Sequence, residues 1–200
     1  MSALGDALSA VANILGSADR HWALVGALAV SARTEPRFTR DVDVAVAIAD
    51  DAEAEAVVRQ FSAQGYSVFS IVEQAAMKRL ATARLSRQPP AGEASVIVDL
   101  LFASSGIEPE VAQQAESIAI LAGIEVPVAR TGHLLALKVL SRSPERPQDS
   151  ADITALMQVL DPVERDRAVD AARLIAARGF ARGKSLETEV AALVGTSAKS

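Results

Sequence analysis

The chain has 200 residues, half of them apolar, a formal net charge of −5 and a positive mean hydropathy. That is enough for one substantial core, or a core with a helical appendage. Cysteine is absent, which excludes disulfides, thiolate zinc sites and cysteine nucleophiles, and the only histidines, His21 and His133, lie in no motif. The net charge argues against a protein that coats nucleic acid, although a local basic patch can still bind one acceptor or a triphosphate.

The distribution of apolar residues predicts no membrane segment. No apolar run approaches the roughly 20 residues that cross a bilayer, and the first twenty residues lack the basic start of a secretory signal. We therefore expect a soluble, cytoplasmic protein.

The first half of the chain alternates between helical and extended patterns. Apolar residues at helical spacing predict a helix over 4–16, a short strand over 21–25 ends at Gly26, and small residues then predict a helix over 27–32. The stretch 41–48, DVDVAVAI, alternates strictly and is the clearest strand. A helix over 51–63, strands over 66–72, 79–87 and 95–102, and a hairpin joining the last two strands around the loop QPPAGEA follow.

The second half is mostly helical. A short helix near 109–114 and extended pieces at 118–121 and 124–128 precede helices over 131–141, 149–160 and 162–179 and a weak last helix. This change in pattern predicts an α/β core over residues 1–129 and a helical C-terminal region over 130–200.

Three aspartates form the candidate catalytic and metal-binding set. Asp41 and Asp43 lie at i and i+2 of one strand, which places both carboxylates on one face with Cα atoms roughly 7 Å apart. Asp99 stands alone in the apolar stretch SVIVDLLFA, where an ionised carboxylate is costly unless it is paired, hydrogen-bonded or metal-bound. Carboxylates on neighbouring strands can hold two magnesium ions about 4 Å apart. Equally, all three can be solvated or strand-end residues without a catalytic role.

The residues upstream of Asp41 carry a further motif. Val25, Gly26 and Ala27 end a strand and open a helix, and Asp41-Val42-Asp43-Val44 follows thirteen residues later. Glycine permits close backbone approach to a nucleotide, and free amides at a helix start suit phosphate. This arrangement resembles the signature of the DNA polymerase β-like nucleotidyltransferase superfamily, with Ala27 where Gly or Ser is typical. The resemblance implies an α/β (α+β) fold with a mixed, mostly antiparallel sheet flanked by helices.

A closer resemblance covers most of the chain. The segments LVGALAVSARTEPRFTRDVDVAV, VDLLFA and IEVPVARTGHLLALKVLSRSPERPQDSADITAL are similar to bacterial nucleotidyltransferases of the AbiEii/AbiGii toxin type. An Arg-x-Thr-x-Asp-x-Asp run is matched by Arg37, Thr39, Asp41 and Asp43, and an embedded helix lysine is matched by Lys138. The Asp-x-x-Asp pair is matched by Asp149 and Asp152, with Gln148 where a lysine is common.

This resemblance implies transfer of a nucleoside monophosphate from an NTP, with two Mg²⁺ ions or Mn²⁺, to an acceptor such as RNA or a tRNA end, under the control of a cognate antitoxin. Asp99 would help to deprotonate the acceptor hydroxyl. The nucleotide-binding positions are then Gly26, Ala27, Arg37, Thr39 and Lys138. Two alternatives stay open: a transferase acting on a small hydroxylated compound such as an antibiotic, and a non-catalytic nucleotide- or partner-binding module.

Several other polar residues have both a functional and a structural interpretation. Lys138 either binds triphosphate or pairs with Asp152, while Asp149 and Asp152 fit a helix N-cap with an acidic N3 residue. Arg33, Arg37 and Arg40 precede the aspartate pair and are candidates for phosphate contacts. A basic edge for a polynucleotide is possible along Lys78, Arg79, Arg84 and Arg87, although such residues are more often only a soluble strand edge. The segment GFARGKS imitates a Walker A loop but has one residue too few between its glycines and follows a helix.

Overall fold

A computed structural model of the chain describes residues 2–18, 20–74, 79–87, 95–121 and 123–196. In chain order its elements are α1 (Ala3–Ser17), β1 (Trp22–Val25), α2 (Gly26–Arg33), β2 (Asp41–Val46), α3 (Asp51–Ala63), β3 (Tyr66–Gln74), β4 (Arg79–Arg87), β5 (Ile97–Leu101), α4 (Glu108–Gln113), β6 (Glu116–Leu121), β7 (Ile124–Val128), α5 (Thr131–Ser141), α6 (Pro147–Val159), α7 (Pro162–Ala177) and α8 (Leu186–Thr196). Lys78 and the predicted loop QPPAGEA lie outside the described residues.

The strands form one seven-stranded sheet in the order β3-β4-β5-β2-β1-β7-β6. The β2/β5 and β1/β7 pairs are parallel, and the other four pairs are antiparallel. This arrangement confirms the prediction of a mixed, mostly antiparallel sheet. The predicted pairing of the strands 79–87 and 95–102 is also confirmed, because β4 and β5 are antiparallel neighbours.

The strand β2 owes its position at the centre of the sheet to its sequence. Val42, Val44 and Val46 are fully buried, while Asp41 at the strand start is exposed. β2 ends at Val46, two residues before the predicted end at Ile48. Because β2 has β1 on one side and β5 on the other, its aspartates lie between two strands instead of at a sheet edge.

The C-terminal helices share the core of the sheet. Leu134, Leu135 and Leu140 of α5 belong to the same buried cluster as the valines of β2, and Ile175 of α7 and Leu186 of α8 extend that cluster. α5 contacts α6, α7 and α8, and it also contacts α2, which packs on β1 and β2. α5 therefore links the helical region to the sheet layer through α2. Among the described residues, no helix combines the length and the apolar character needed to span a membrane.

Candidate active site

The register of four neighbouring strands places polar groups in one row across the sheet. Arg84 of β4 is opposite Asp99 of β5, Asp99 is opposite Asp43 of β2, and Asp43 is opposite Val25 at the end of β1. Residues in register across a sheet project from the same face. The structure therefore brings Asp43 and Asp99, which are 56 positions apart in sequence, side by side.

The eight residues that the sequence predicted to be catalytic, metal-binding or nucleotide-binding all line one cavity of ≈ 450 Å³. The three aspartates Asp41, Asp43 and Asp99 share it with the other candidate positions, which are Gly26, Ala27, Arg37, Thr39 and Lys138. The cavity lies between the carboxylate face of β2 and β5 and the helices α5 and α6. Its volume lies within the range that is typical of small-molecule sites.

Gly26 lies directly against the Asp43 carboxylate. Its φ of +64° is in the left-handed region, and a Cβ there would lie 1.9 Å from Oδ2 of Asp43. The sequence predicted that this glycine lets the backbone approach a nucleotide, and the structure adds that it makes room for an acidic side chain. α2 begins here after Val25 without a side-chain cap, so the amides of its first turn, including that of Ala27, are not satisfied by a capping residue.

The environment of Asp43 disfavours its charged form. Burial at the cavity floor, together with the adjacent Asp99 and Asp41 carboxylates, raises the pKa of Asp43 to about 6, against the opposing effect of Lys138 and Arg146. Among the described residues, neither Asp41 nor Asp43 has a salt-bridge partner. Two unpaired carboxylates at adjacent positions of one strand face are an electrostatically costly arrangement that a bound cation would relieve.

Asp99 is paired differently. Arg84 donates two parallel hydrogen bonds to it, Nε to Oδ1 at 2.8 Å and Nη2 to Oδ2 at 2.7 Å. These hydrogen bonds outweigh the effect of burial and raise the pKa of the Arg84 guanidinium further above its usual range. The sequence grouped Arg84 with Arg79 and Arg87 on a candidate basic edge, and the structure adds that the Arg84 side chain pairs with Asp99 in the carboxylate row.

The donor set fits a divalent cation in part. Asp41 and Asp43 offer unpaired hard oxygens, which suit magnesium, but both oxygens of Asp99 already accept hydrogen bonds from Arg84. Accordingly, within the described residues no group of three or more acidic or histidine side chains is arranged to hold a metal ion. Asp41 and Asp43 would hold the cation, and Arg84 occupies the oxygens that Asp99 would offer as a third ligand.

Lys138 is the centre of a buried ion cluster. Its Nζ lies 2.9 Å from Oδ1 of Asp149 and 2.8 Å from Oδ2 of Asp152, and Arg37 donates two hydrogen bonds to Asp152 at 2.9 and 2.8 Å. Burial opposes the charged form of Asp149, but the hydrogen bond and the charge of Lys138 prevail and lower its pKa. Lys138 thus reaches the cavity wall with its ammonium already held by two carboxylates.

The N-cap interpretation of Asp149 and Asp152 is wrong. α6 begins at Pro147, earlier than the helical pattern predicted, and its N-cap residue Arg146 makes no side-chain capping bond. Both aspartates are only 2% exposed and face Lys138. Their spacing of three residues, i to i+3 on one helix face, is what allows both to reach the same ammonium.

Most of the other basic candidates lie outside the cavity. Arg33 pairs with Glu116 at 2.6 Å and donates to the carbonyls of Val128 and Ala129, and it therefore fixes α2 to the β6/β7 edge instead of facing phosphate.

Arg40 lies over the Phe38 ring at 5.3 Å. Arg79 pairs with Asp51 at 2.9 Å. The segment GFARGKS follows α7 as a turn, in agreement with the rejection of a Walker A loop.

Two cavity arginines were missed by sequence reasoning. Arg146 at the start of α6 lies 3.4 Å from Asp149, and Arg182 after α7 donates to the Ser104 carbonyl at 2.9 Å. Burial lowers the pKa of Arg182. The only signal for Arg146 is its place in the basic loop between α5 and α6, and no sequence pattern points to Arg182. With these two, the described cavity lining contains five cationic and five acidic side chains.

A solved structure with a TM-score above 0.5 has a similar fold, and others match the chain more weakly. The antigenic nucleotidyltransferase-like protein from Paracoccidioides brasiliensis matches with a TM-score of 0.55 and 18% identity, over 96% of this chain and 92% of that chain. JHP933 from Helicobacter pylori matches with a TM-score of 0.48 and 14% identity over 98% and 88% of the two chains. The lincomycin-bound lincosamide antibiotic adenylyltransferase LnuA matches with a TM-score of 0.46 and 13% identity over 76% and 96%. No curated protein sequence matches the chain.

A family model covers nearly the whole chain. It describes the nucleotidyl transferase AbiEii toxin of type IV toxin-antitoxin systems, and it matches residues 8–194. That span includes the aspartates of β2 and β5, the Gly26 turn and the Lys138 cluster. The chain belongs to the AbiEii nucleotidyl transferase toxin family.

Proposed function

We propose that this protein is a metal-dependent nucleotidyltransferase that moves a nucleoside monophosphate from an NTP to a hydroxyl of RNA, such as a tRNA end. In the cytoplasm it acts as the toxin of a toxin-antitoxin pair. The observation that carries the proposal is the row of Asp43 and Asp99 beside Asp41 and the Gly26 turn in one cavity. Family membership supports nucleotidyl transfer and a cognate antitoxin as partner.

The reaction assigns a role to each part of the cavity. The acceptor oxygen attacks the α-phosphorus of the NTP. The bond between that phosphorus and the oxygen that bridges to the β-phosphate breaks, and pyrophosphate leaves. The proton of the acceptor hydroxyl passes to the Asp99 carboxylate. Asp41 and Asp43 would hold magnesium, which supplies Lewis-acid stabilisation of the charge that develops on the phosphoryl oxygens. The uncapped start of α2 at Gly26 and Ala27 faces the phosphates with free amides.

The cationic wall of the cavity would orient the triphosphate. Arg37 reaches the cavity with its guanidinium fixed by Asp152, and Lys138 contributes positive charge that already acts on Asp43. Thr39 lines the same wall with a hydroxyl. Groups held in place by other side chains lose little freedom when they bind a ligand, which favours precise positioning of the α-phosphorus.

The direct test is incubation of the purified protein with labelled NTPs, magnesium or manganese, and total bacterial RNA. Transfer of label to RNA is expected for the wild type, with a loss of at least about 100-fold in Asp43→Ala. Asp170→Asn is the matched control, since Asp170 is 71% exposed on α7, and it should keep full activity. Label transfer that persists in Asp43→Ala would refute the assigned roles.

The two alternatives give different results in the same assay. A transferase for small hydroxylated compounds would release pyrophosphate with such a compound and leave RNA unlabelled. A non-catalytic module would bind NTP in calorimetry and release no pyrophosphate with any acceptor. Induced expression provides the cellular test, in which growth should stop with the wild type and continue with Asp43→Ala.

A further inference from the structure

Arg84 has a place in the carboxylate row that the proposed reaction does not use. It stands opposite Asp99 across β4 and β5, and Asp99 stands opposite Asp43 across β5 and β2. The guanidinium therefore ends the row on the side of Asp99 that is away from the Gly26 turn. In the proposed reaction Asp99 accepts the proton of the acceptor hydroxyl, so Arg84 lies on the acceptor side.

The contact between Arg84 and Asp99 occupies both carboxylate oxygens. A planar guanidinium that donates in parallel to both oxygens is the strongest common form of an ion pair. Asp99 is 8% exposed, so this pairing offsets the cost of burying its charge. The same pairing places a positive charge where Asp99 would otherwise contribute to binding a cation, which weakens cation binding at the row.

Arg84 can leave Asp99 without losing a second side-chain partner. Its side chain is 48% exposed, and Asp99 is its only side-chain hydrogen-bond partner among the described residues. Lys138, by contrast, is 10% exposed and held by two carboxylates, and Arg37 is fixed by Asp152. A guanidinium that is released from Asp99 remains at the cavity, where a phosphate offers the same two-oxygen geometry as a carboxylate.

We propose that Arg84 is a positioning residue that competes with the divalent cation for Asp99 and, once displaced, binds a phosphate of a polynucleotide acceptor. Cation binding and acceptor binding then favour each other. A cation on Asp99 frees Arg84 for a phosphate of the acceptor, and a phosphate on Arg84 frees Asp99 for the cation. A neutral small hydroxylated compound lacks the phosphate and gains nothing from the displaced guanidinium. The acceptor half of this inference rests on the proposed function, and the competition for Asp99 does not.

The competition is tested by titrating Mn²⁺ into the protein without NTP or RNA and following free Mn²⁺ by electron paramagnetic resonance. Arg84→Gln should bind Mn²⁺ about tenfold more tightly than the wild type, because one positive charge leaves the row. The matched control is Arg79→Gln, which removes an arginine of the same strand with its own carboxylate partner, Asp51, and should leave Mn²⁺ affinity unchanged. Equal or weaker Mn²⁺ binding by Arg84→Gln overturns the competition.

Thermal unfolding covers the case in which Arg84→Gln is unstable. Without metal its Tm should fall, since Asp99 loses its partner, and Mn²⁺ should raise the Tm more in Arg84→Gln than in the wild type. If Arg84→Gln does not fold even with Mn²⁺, Arg84→Lys decides. An ammonium cannot hold both oxygens in the same fork, so tighter Mn²⁺ binding than in the wild type is expected, and unchanged or weaker binding refutes the competition.

The acceptor half is tested with the transfer assay. Arg84→Gln should raise the KM for RNA about tenfold and leave the KM for NTP nearly unchanged, while Arg79→Gln leaves both unchanged. An unchanged KM for RNA refutes phosphate binding by Arg84. If the wild type labels no RNA, the proposed function and the acceptor half fail together, and the Mn²⁺ titration still gives an independent answer on the competition.

Discussion

The side chain of Asp43 restricts position 26 to glycine. The backbone of Gly26 lies in the left-handed region, and any Cβ would overlap the carboxylate at 1.9 Å and the Asp43 Cβ at 2.8 Å. A side chain at this position therefore affects both the strain of the turn and the placement of the Asp43 carboxylate. These two effects can be separated by comparison with other glycines of the chain.

We predict that Gly26→Ala reduces transfer by about 100-fold, because it displaces the Asp43 carboxylate, and costs about 1–3 kcal/mol of stability. Gly65→Ala is the control for strain alone, since Gly65 also has a positive φ but its Cβ would approach nothing nearer than 4.0 Å. It should lose about 1–2 kcal/mol and keep its activity. Transfer kinetics and urea unfolding measure both. Equal activities of the two variants would show that Gly26 does not position Asp43.

His133 is a buried histidine with a pH-dependent effect on stability. The residue is 4% exposed, and its Nδ1 has no hydrogen-bond partner within the described part of the chain. Burial, reinforced by Arg167 and opposed by Glu164 and Glu110, lowers the pKa of His133 to about 4. The unfolded chain therefore takes up the proton first as the pH falls. The stability that neutral His133 contributes is complete above about pH 6.5 and is lost as the pH falls towards 4.

We predict that the wild type loses about 3 kcal/mol of stability relative to His133→Gln between pH 7 and pH 4. Asp43 has a raised pKa, so its protonation stabilises the folded state as the pH falls through the same range. Because both proteins contain Asp43, the comparison cancels this contribution to stability. Guanidinium unfolding at a series of pH values gives the difference. Parallel curves for the two proteins would show that His133 titrates normally in the folded state.

At the scale of the helices, the ion cluster around Lys138 joins α5 to α6. One ammonium satisfies two aspartates of α6 that are almost completely buried, and Arg37 links the same cluster to the segment before β2. α6 otherwise contributes few apolar residues to the core, with Ile153 and Leu156 buried. The placement of α6 on the cavity therefore depends on charge pairing as well as on apolar contact.

We predict that Lys138→Met destabilises the protein by about 3–5 kcal/mol, because it removes the ammonium that two buried carboxylates share. Arg59→Met is the matched control, since it breaks an exposed pair with Glu55 on α3 and should cost less than about 0.5 kcal/mol. Chemical denaturation compares them. A Lys138→Met variant that is no less stable than Arg59→Met would mean that the buried cluster contributes nothing.

At the scale of the whole molecule, the core is continuous across residue 130. Apolar residues of α5 and α7 pack into the same cluster as those of β1 and β2. The division into residues 1–129 and 130–200 remains a prediction about sequence pattern, and a shared core predicts that both parts unfold together.

We predict a single unfolding transition. Trp22, the only tryptophan, is buried in β1 and reports on the sheet, whereas far-UV circular dichroism reports on the helices of both parts of the chain, including α5 to α8. The two probes should give the same denaturation midpoint and slope. Two separate midpoints would show that the helical region folds as an independent unit.

The sequence alone determined the elements and the orientation of the main carboxylates. Strict alternation in DVDVAVAI gave β2 and placed Asp41 and Asp43 on one face, and the apolar run around Asp99 marked a buried charge that needs a partner. The apolar strand that stops at Gly26 and the small residues after it likewise predicted the turn between β1 and α2. These are local properties, because the period of a strand or helix is set within a few residues.

The tertiary structure decided which charges meet. Arg84 and Asp99 are brought together by the register of β4 on β5, and Arg37 meets Asp152 across 115 positions of sequence. The sequence left open whether Lys138 binds triphosphate or pairs with Asp152 and read both aspartates of α6 as helix-capping residues, whereas in the structure both are partners of Lys138. No periodicity in the sequence specifies such pairs, since their geometry follows from how sheet and helices pack, and burial then determines which charges must be paired.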